Sequence, residues 1–130
     1  LPARSPVRFF FSAPEDGSAC KRLNLYLRWM VRRDAHGLDF GLWRHVSPAQ
    51  LIIPLDTHVA RLATNLGMTR RRNVDWKMAL EVTAALRRLD PADPVRYDFA
   101  LCRLGILDLC PRRRDVVKCA ACALQPICTL

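Results

Sequence analysis

Residues 54–67, PLDTHVARLATNLG, read as one helix with both of its ends written in. Pro54 breaks what precedes it, and the side-chain oxygen of Asp56 suits the unpaired amides of a first helical turn. Val59, Leu62, Ala63 and Leu66 then recur at helical spacing from Thr57 to Leu66, and Gly67 is the stop. The same punctuation repeats along the chain. Asp75 caps a helix to about Arg88, with Trp76, Leu80, Thr83 and Leu86 inward. Asp90-Pro91-Ala92-Asp93-Pro94 is a linker that caps a further helix through about Leu104, ended by Gly105. Upstream, Ala19 to about Arg33 carries Leu23, Leu27, Met30 and Val31 along one face, and His36-Gly37 ends it. Ser47-Pro48-Ala49-Gln50 is a capping box with proline at the first helical position, where a short helix begins. Strand-type alternation never lasts more than a few residues, so the chain reads as all-α.

With 130 residues at 51% hydrophobic content the chain can bury one real core, which excludes a disordered tail. Its apolar runs, such as Leu51-Ile52-Ile53-Pro54-Leu55, are far too short to span a bilayer. Phe9-Phe10-Phe11 lacks the length and flanks of a secretory signal. The chain starts at Leu1, as a piece of a longer protein would. Twenty-one basic against 12 acidic residues leave a formal charge of +9, which favours a polyanionic partner. Nucleic acid comes first and an acidic membrane surface second. All but three of the basic residues are arginine, which grips phosphate but stays protonated. Only Lys21, Lys77 and Lys118 could serve as amine nucleophiles.

Four of the six cysteines, Cys110, Cys119, Cys122 and Cys128, form a C-x8-C-x2-C-x5-C run. In a reducing cytosol such a cluster reads as metal ligation rather than disulfides. Four thiolates suit an iron–sulfur cluster or structural zinc. A single close pair flanked by wider gaps favours a [4Fe-4S] cluster over zinc. Cys20 and Cys102 lie outside the run and read as packing residues. Three arginine groups stand out as phosphate contacts: Arg32-Arg33, Arg70-Arg71-Arg72, and Arg112-Arg113-Arg114 inside the cysteine loop. Trp29, Trp43 and Trp76 are expected in the core rather than as platforms for stacking bases, Trp43 least firmly of the three. His58 is expected to pack or hydrogen-bond.

GSACKRLNLYLRW at 17–29, followed by PLDTHVARLATNLG, resembles the helix-hairpin-helix DNA glycosylases of the endonuclease III type. In that superfamily a hairpin of the form L-P-G-x-G-x-K presents a catalytic lysine, and a V-D-T-H-x-x-R segment presents a catalytic aspartate. Gly17 and Lys21 match the first motif; Asp56-Thr57-His58 and Arg61 match the second. The tail DFALCRLGILDLC…CAACALQPIC resembles the closing helix and iron–sulfur loop of the same superfamily. Its layout is most similar to a poorly characterised bacterial family related to these enzymes. Three features depart from the pattern. Ala19 replaces the second hairpin glycine, Lys21 and Asp56 stand 35 positions apart, and the first cysteine gap is eight residues.

The resemblance implies an irregular opening segment and turn at 1–18, a partial glycosylase-like helical domain at 19–105 and an iron–sulfur loop at 106–130. It implies a cytoplasmic, nucleoid-associated monomer acting on damaged double-stranded DNA, with no membrane partner. The nucleotide would be flipped out of the duplex, Lys21 would attack the sugar C1′, and Asp56 would stabilise positive charge developing on the sugar. Taken alone, Asp56 is a helix cap and Lys21 a surface lysine on a helix. A non-catalytic DNA-binding module on the same scaffold is the alternative.

Overall fold

A computed structural model describes residues 11–130, so the first ten residues of the opening segment lie outside the described part. The regular structure of the described residues is helical, and among them no strand forms beyond an isolated bridge between Arg33 and Phe40. The helices are α1 (Lys21–Val31), α2 (Thr57–Asn65), α3 (Trp76–Arg87), α4 (Asp98–Ile106) and α5 (Val116–Ala120). Short 3₁₀ turns occupy Pro14–Asp16, Pro48–Gln50, Pro94–Tyr97 and Gln125–Ile127. None of the helices is long and apolar enough to cross a membrane.

The caps read from the sequence are in place. Asp56 Oδ1 accepts from the Val59 amide at 2.8 Å, and Asp75 Oδ1 from the Met78 amide at 2.8 Å. Gly67 takes the left-handed backbone, φ 67°, that ends α2. Ser47 and Gln50 form both halves of a capping box, but the proline turn they start ends after three residues.

The core is built around an extended segment. Leu51, Ile53, Pro54 and Leu55 are all buried, and the Ile53 amide donates to Thr83 Oγ1 of α3 at 3.1 Å. That bond satisfies a backbone donor which no neighbouring strand is present to take up. Val59, Leu62 and Ala63 of α2 pack on this segment together with Met78, Val82 and Leu86 of α3, and with Val95 and Leu101.

The inward faces differ from the sequence reading in two helices. In α1 the buried residues are Asn24, Arg28 and Val31, while Leu23 and Trp29 are partly exposed. The cause is electrostatic. Arg28 is buried between Asp39, 3.0 Å from its Nε, and Asp98, bonded to its Nη1. Removing one partner of such a buried pair costs about 3–5 kcal/mol, so the pair fixes the helix rotation more firmly than one leucine does. In α3, Leu80 faces outward, and Met78, Ala79 and Val82 face in beside Thr83 and Leu86.

Gly105 does not end a helix. It lies inside α4, where a Cβ would come within 2.5 Å of His58 Cβ. Only glycine lets α4 approach α2 this closely. His58 packs here, with its buried Nδ1 unpartnered among the described residues.

Candidate functional site

The N-terminal ends of α1 and α2 meet at an open cleft of about 610 Å³. Lys21, the first residue of α1, and Asp56, the cap of α2, both line it, together with Ser12, Asp16, Ser18 and Thr57. The turn that delivers Lys21 carries backbone strain. Gly17 is left-handed, and so is Cys20, at φ 50°, a conformation that costs a residue with a side chain about 1 kcal/mol or more. Cys20 is held there on three sides. Its amide donates to Ser18 Oγ at 3.0 Å, its thiol to the Ser12 carbonyl at 3.2 Å, and its carbonyl accepts the Asn24 amide at 3.0 Å. The left-handed position thus falls on Cys20, while Ala19, in the place of the second hairpin glycine, is buried.

Asp56 is engaged through both oxygens. Oδ1 caps α2, and Oδ2 accepts the Cys102 thiol of α4 at 3.5 Å. Burial, then the charge and hydrogen bond of Asp56, push the Cys102 thiol up to about 11. One turn before Cys102 on α4, burial raises Asp98 to about 6 against the pull of Arg28, with Asp56 adding to the rise and Lys21 opposing it. Asp98, Cys102 and Arg28 therefore stand behind the Lys21–Asp56 cleft, and sequence reasoning missed all three as site residues. The signal was present for one of them, since Arg28 shares a helical stripe with Asn24 and Val31.

The arginines divide into internal and external groups. Arg32 turns inward, with Nη1 2.5 Å from Asp39 and Nε 2.8 Å from Asp93, so its guanidinium is engaged inside the fold rather than presented to phosphate. Arg71 pairs with Asp75 at 3.0 Å and draws that carboxyl below its usual range. Arg33, Arg70, Arg72, Arg112, Arg113 and Arg114 are exposed. Arg61, Arg71 and Arg72 line a second groove of about 310 Å³, which shares Thr57 and Val74 with the cleft.

The four run cysteines, Cys110, Cys119, Cys122 and Cys128, all line one cavity of about 120 Å³ at the opposite end of α2, with Arg114 at its edge. All four are free thiols. Helix α2 ties down both ends of their loop. Arg61 Nη2 donates to the Cys110 carbonyl at 2.7 Å, Asn65 Nδ2 to Cys110 Sγ at 3.9 Å, and the Thr129 amide to the Asn65 carbonyl at 2.7 Å. Burial pushes the Cys110 thiol up, while Asn65 and Arg61 pull it down. Among the described residues no three His, Cys, Asp or Glu side chains are already drawn to coordinating spacing. Four sulfurs share the cavity, and no Asp, Glu or His side chain lines it, so the donors gathered here are of the soft, thiolate kind. Trp29 is exposed rather than core, because Asn24, Arg28 and Val31 bury the other face of α1, and Trp43, in the loop after α1, is exposed as well.

The sequence profile of a family described as "Protein of unknown function (DUF2400)" matches residues 2–107. The chain belongs to this family. The DUF2400 match contains the Lys21–Asp56 cleft, the buried Arg28–Asp98 pair and Cys102, and it stops just before the cysteine loop. No curated protein and no solved structure matches the chain.

Proposed function

We propose that this DUF2400 chain has a helix-hairpin-helix DNA glycosylase fold, removing a damaged or mismatched base and cleaving the strand as a lyase. The observation that carries the proposal is the meeting of Lys21 and Asp56, from α1 and α2, in one open cleft despite their separation in sequence. The amine and the carboxylate are the two groups this chemistry needs. Lys21 Nζ attacks C1′ of a flipped nucleotide, the C1′–N bond breaks, and the base leaves with the bonding pair and takes up a proton. Loss of a proton from the lysine nitrogen and opening of the sugar ring give a Schiff base at C1′. Removal of a proton from C2′ then expels the 3′ phosphate. Asp56 faces the positive charge that develops on the sugar, and Asp98 behind it holds a proton at mildly acidic pH.

Cys110, Cys119, Cys122 and Cys128 would hold a [4Fe-4S] cluster, with zinc as the alternative. When bound, the group staples the terminal loop, fixing Arg112, Arg113 and Arg114 as phosphate contacts. The exposed arginines and the +9 charge support double-stranded DNA as the partner of a cytoplasmic, nucleoid-associated monomer. Borohydride trapping on damaged duplexes, lost in Lys21→Ala, tests the assignment.

A second reading keeps the DNA but not the chemistry. Both Asp56 oxygens already have protein partners, in Val59 and Cys102, which favours a non-catalytic DNA-binding module. On that reading salt-sensitive duplex binding survives and no adduct forms with either Lys21 or Lys21→Ala.

A further inference from the structure

Four aromatic side chains crowd the outer face of α1 and the loop that follows it, away from the cleft residues already described. Phe40 is 61% exposed, Tyr26 45%, Trp43 40% and Trp29 37%. They form one surface. The Phe40 amide donates to the Trp29 carbonyl at 2.8 Å, the Trp43 amide to the Met30 carbonyl at 2.8 Å, and the Tyr26 and Trp43 rings meet edge-on at 5.8 Å. The close fold-back is built in, since a Cβ on left-handed Gly41 would lie 2.7 Å from Arg33 Cβ. An exposed aromatic patch of this kind marks a binding surface.

Charge selects the occupant. Arg33, bridged to Phe40, and Arg44, next to Trp43, are exposed and have no ion-pair partner among the described residues. The neighbouring acids are occupied. Asp34 accepts the His36 and Asp39 amides, at 2.6 and 2.7 Å, and Asp39 is buried against Arg28 and Arg32. A second copy would set Arg33 and Arg44 against like charge, on a chain already at +9. Exposed aromatic side chains beside guanidiniums that lack an ion-pair partner suit unpaired bases and their phosphates.

We propose that Tyr26, Trp29, Phe40 and Trp43, rimmed by Arg33 and Arg44, form a stacking platform for single-stranded DNA. The inference rests on DNA as the partner, as proposed above, and not on Lys21 as a nucleophile.

The test is a fluorescence-anisotropy titration of the full chain with a labelled oligothymidylate and with a duplex of equal length. Loss of two stacking faces in Phe40→Ala/Trp43→Ala weakens single-strand binding about tenfold or more and leaves duplex binding within about twofold. Arg33→Gln/Arg44→Gln, at exposed positions, also weakens single-strand binding and flattens its salt dependence. Unchanged single-strand affinity in both double variants overturns the proposal. So does a wild-type dimer in sedimentation equilibrium that Phe40→Ala/Trp43→Ala dissociates, which assigns the face to a second copy. If duplex binds but single strand does not, this inference alone falls; if neither binds, the DNA reading falls with it.

Discussion

Cys102 and Asp56 join α4 to α2 at the back of the cleft, the thiol donating to the carboxylate Oδ2 at 3.5 Å. The contact ties a nucleophilic side chain to the residue that would steady charge in the reaction. It also makes the thiol unreactive, because burial and the neighbouring carboxylate both hold it protonated, up to about 11. The thiolate is the form that alkylates. Cys102 should therefore react with iodoacetamide more slowly than an exposed cysteine near pH 8, and Asp56→Asn should speed that reaction several-fold. Residue-resolved mass spectrometry reads both rates; equal rates in the two proteins would show that Asp56 does not govern the thiol.

Asp98 makes stability depend on pH in an unusual direction. Burial raises its folded value to about 6 from the ordinary 3.8. The folded state then keeps a proton that the unfolded carboxyl has lost, so the contribution of Asp98 is complete below about 4 and declines as pH rises through about 6. Urea denaturation of wild type and Asp98→Asn across this window should give a stability difference that shifts against wild type as pH rises. A flat difference, or one of opposite slope, would contradict the assignment.

Gly105 sets the distance between α2 and α4. Gly105→Ala places a methyl within 2.5 Å of His58 Cβ, and in a packed contact such an addition destabilises by about 1–3 kcal/mol. A lower denaturation midpoint with unchanged slope is expected, together with faster alkylation of Cys102 as α4 moves away from α2. An unchanged midpoint would mean that the helices separate at no cost.

The cysteine loop has a direct chemical test. Anaerobically purified protein should be brown and contain iron and sulfide in equal amounts, and Cys122→Ser should lose most of both. Cys20→Ser should keep them, because Cys20 lies in the Lys21 turn and not in the four-thiol cavity. Colourless protein with one equivalent of zinc would instead establish the zinc alternative.

Much of this architecture is legible because its signals are local. Asp56 and Asp75 cap the helices that follow them, and Gly67 ends α2, because caps depend on the nearest few residues. The inward faces of α1 and α3 were harder. The α3 segment WKMALEVTAALR is apolar nearly all round, so periodicity alone does not choose between Leu80 and Met78. In α1 the decision lies in Asp39 and Asp98, which neutralise a buried Arg28 from distant parts of the chain. The same distance hid the Cys102–Asp56 contact and the internal pairing of Arg32. Lys21, Asp56 and the four clustered cysteines were visible as residue types in a pattern; the cleft and cavity they line required the fold.

The proposed function makes Lys21 the attacking amine. The full chain is incubated with duplexes carrying a panel of damaged bases and an abasic site, reduced with borohydride, and digested. Mass spectrometry then locates any sugar adduct. An adduct is expected on the peptide containing Lys21, absent in Lys21→Ala and formed at least about tenfold more slowly in Asp56→Asn, where charge stabilisation at the reacting centre is removed. No adduct on any substrate, or one that persists on Lys77 or Lys118 in Lys21→Ala, would contradict it.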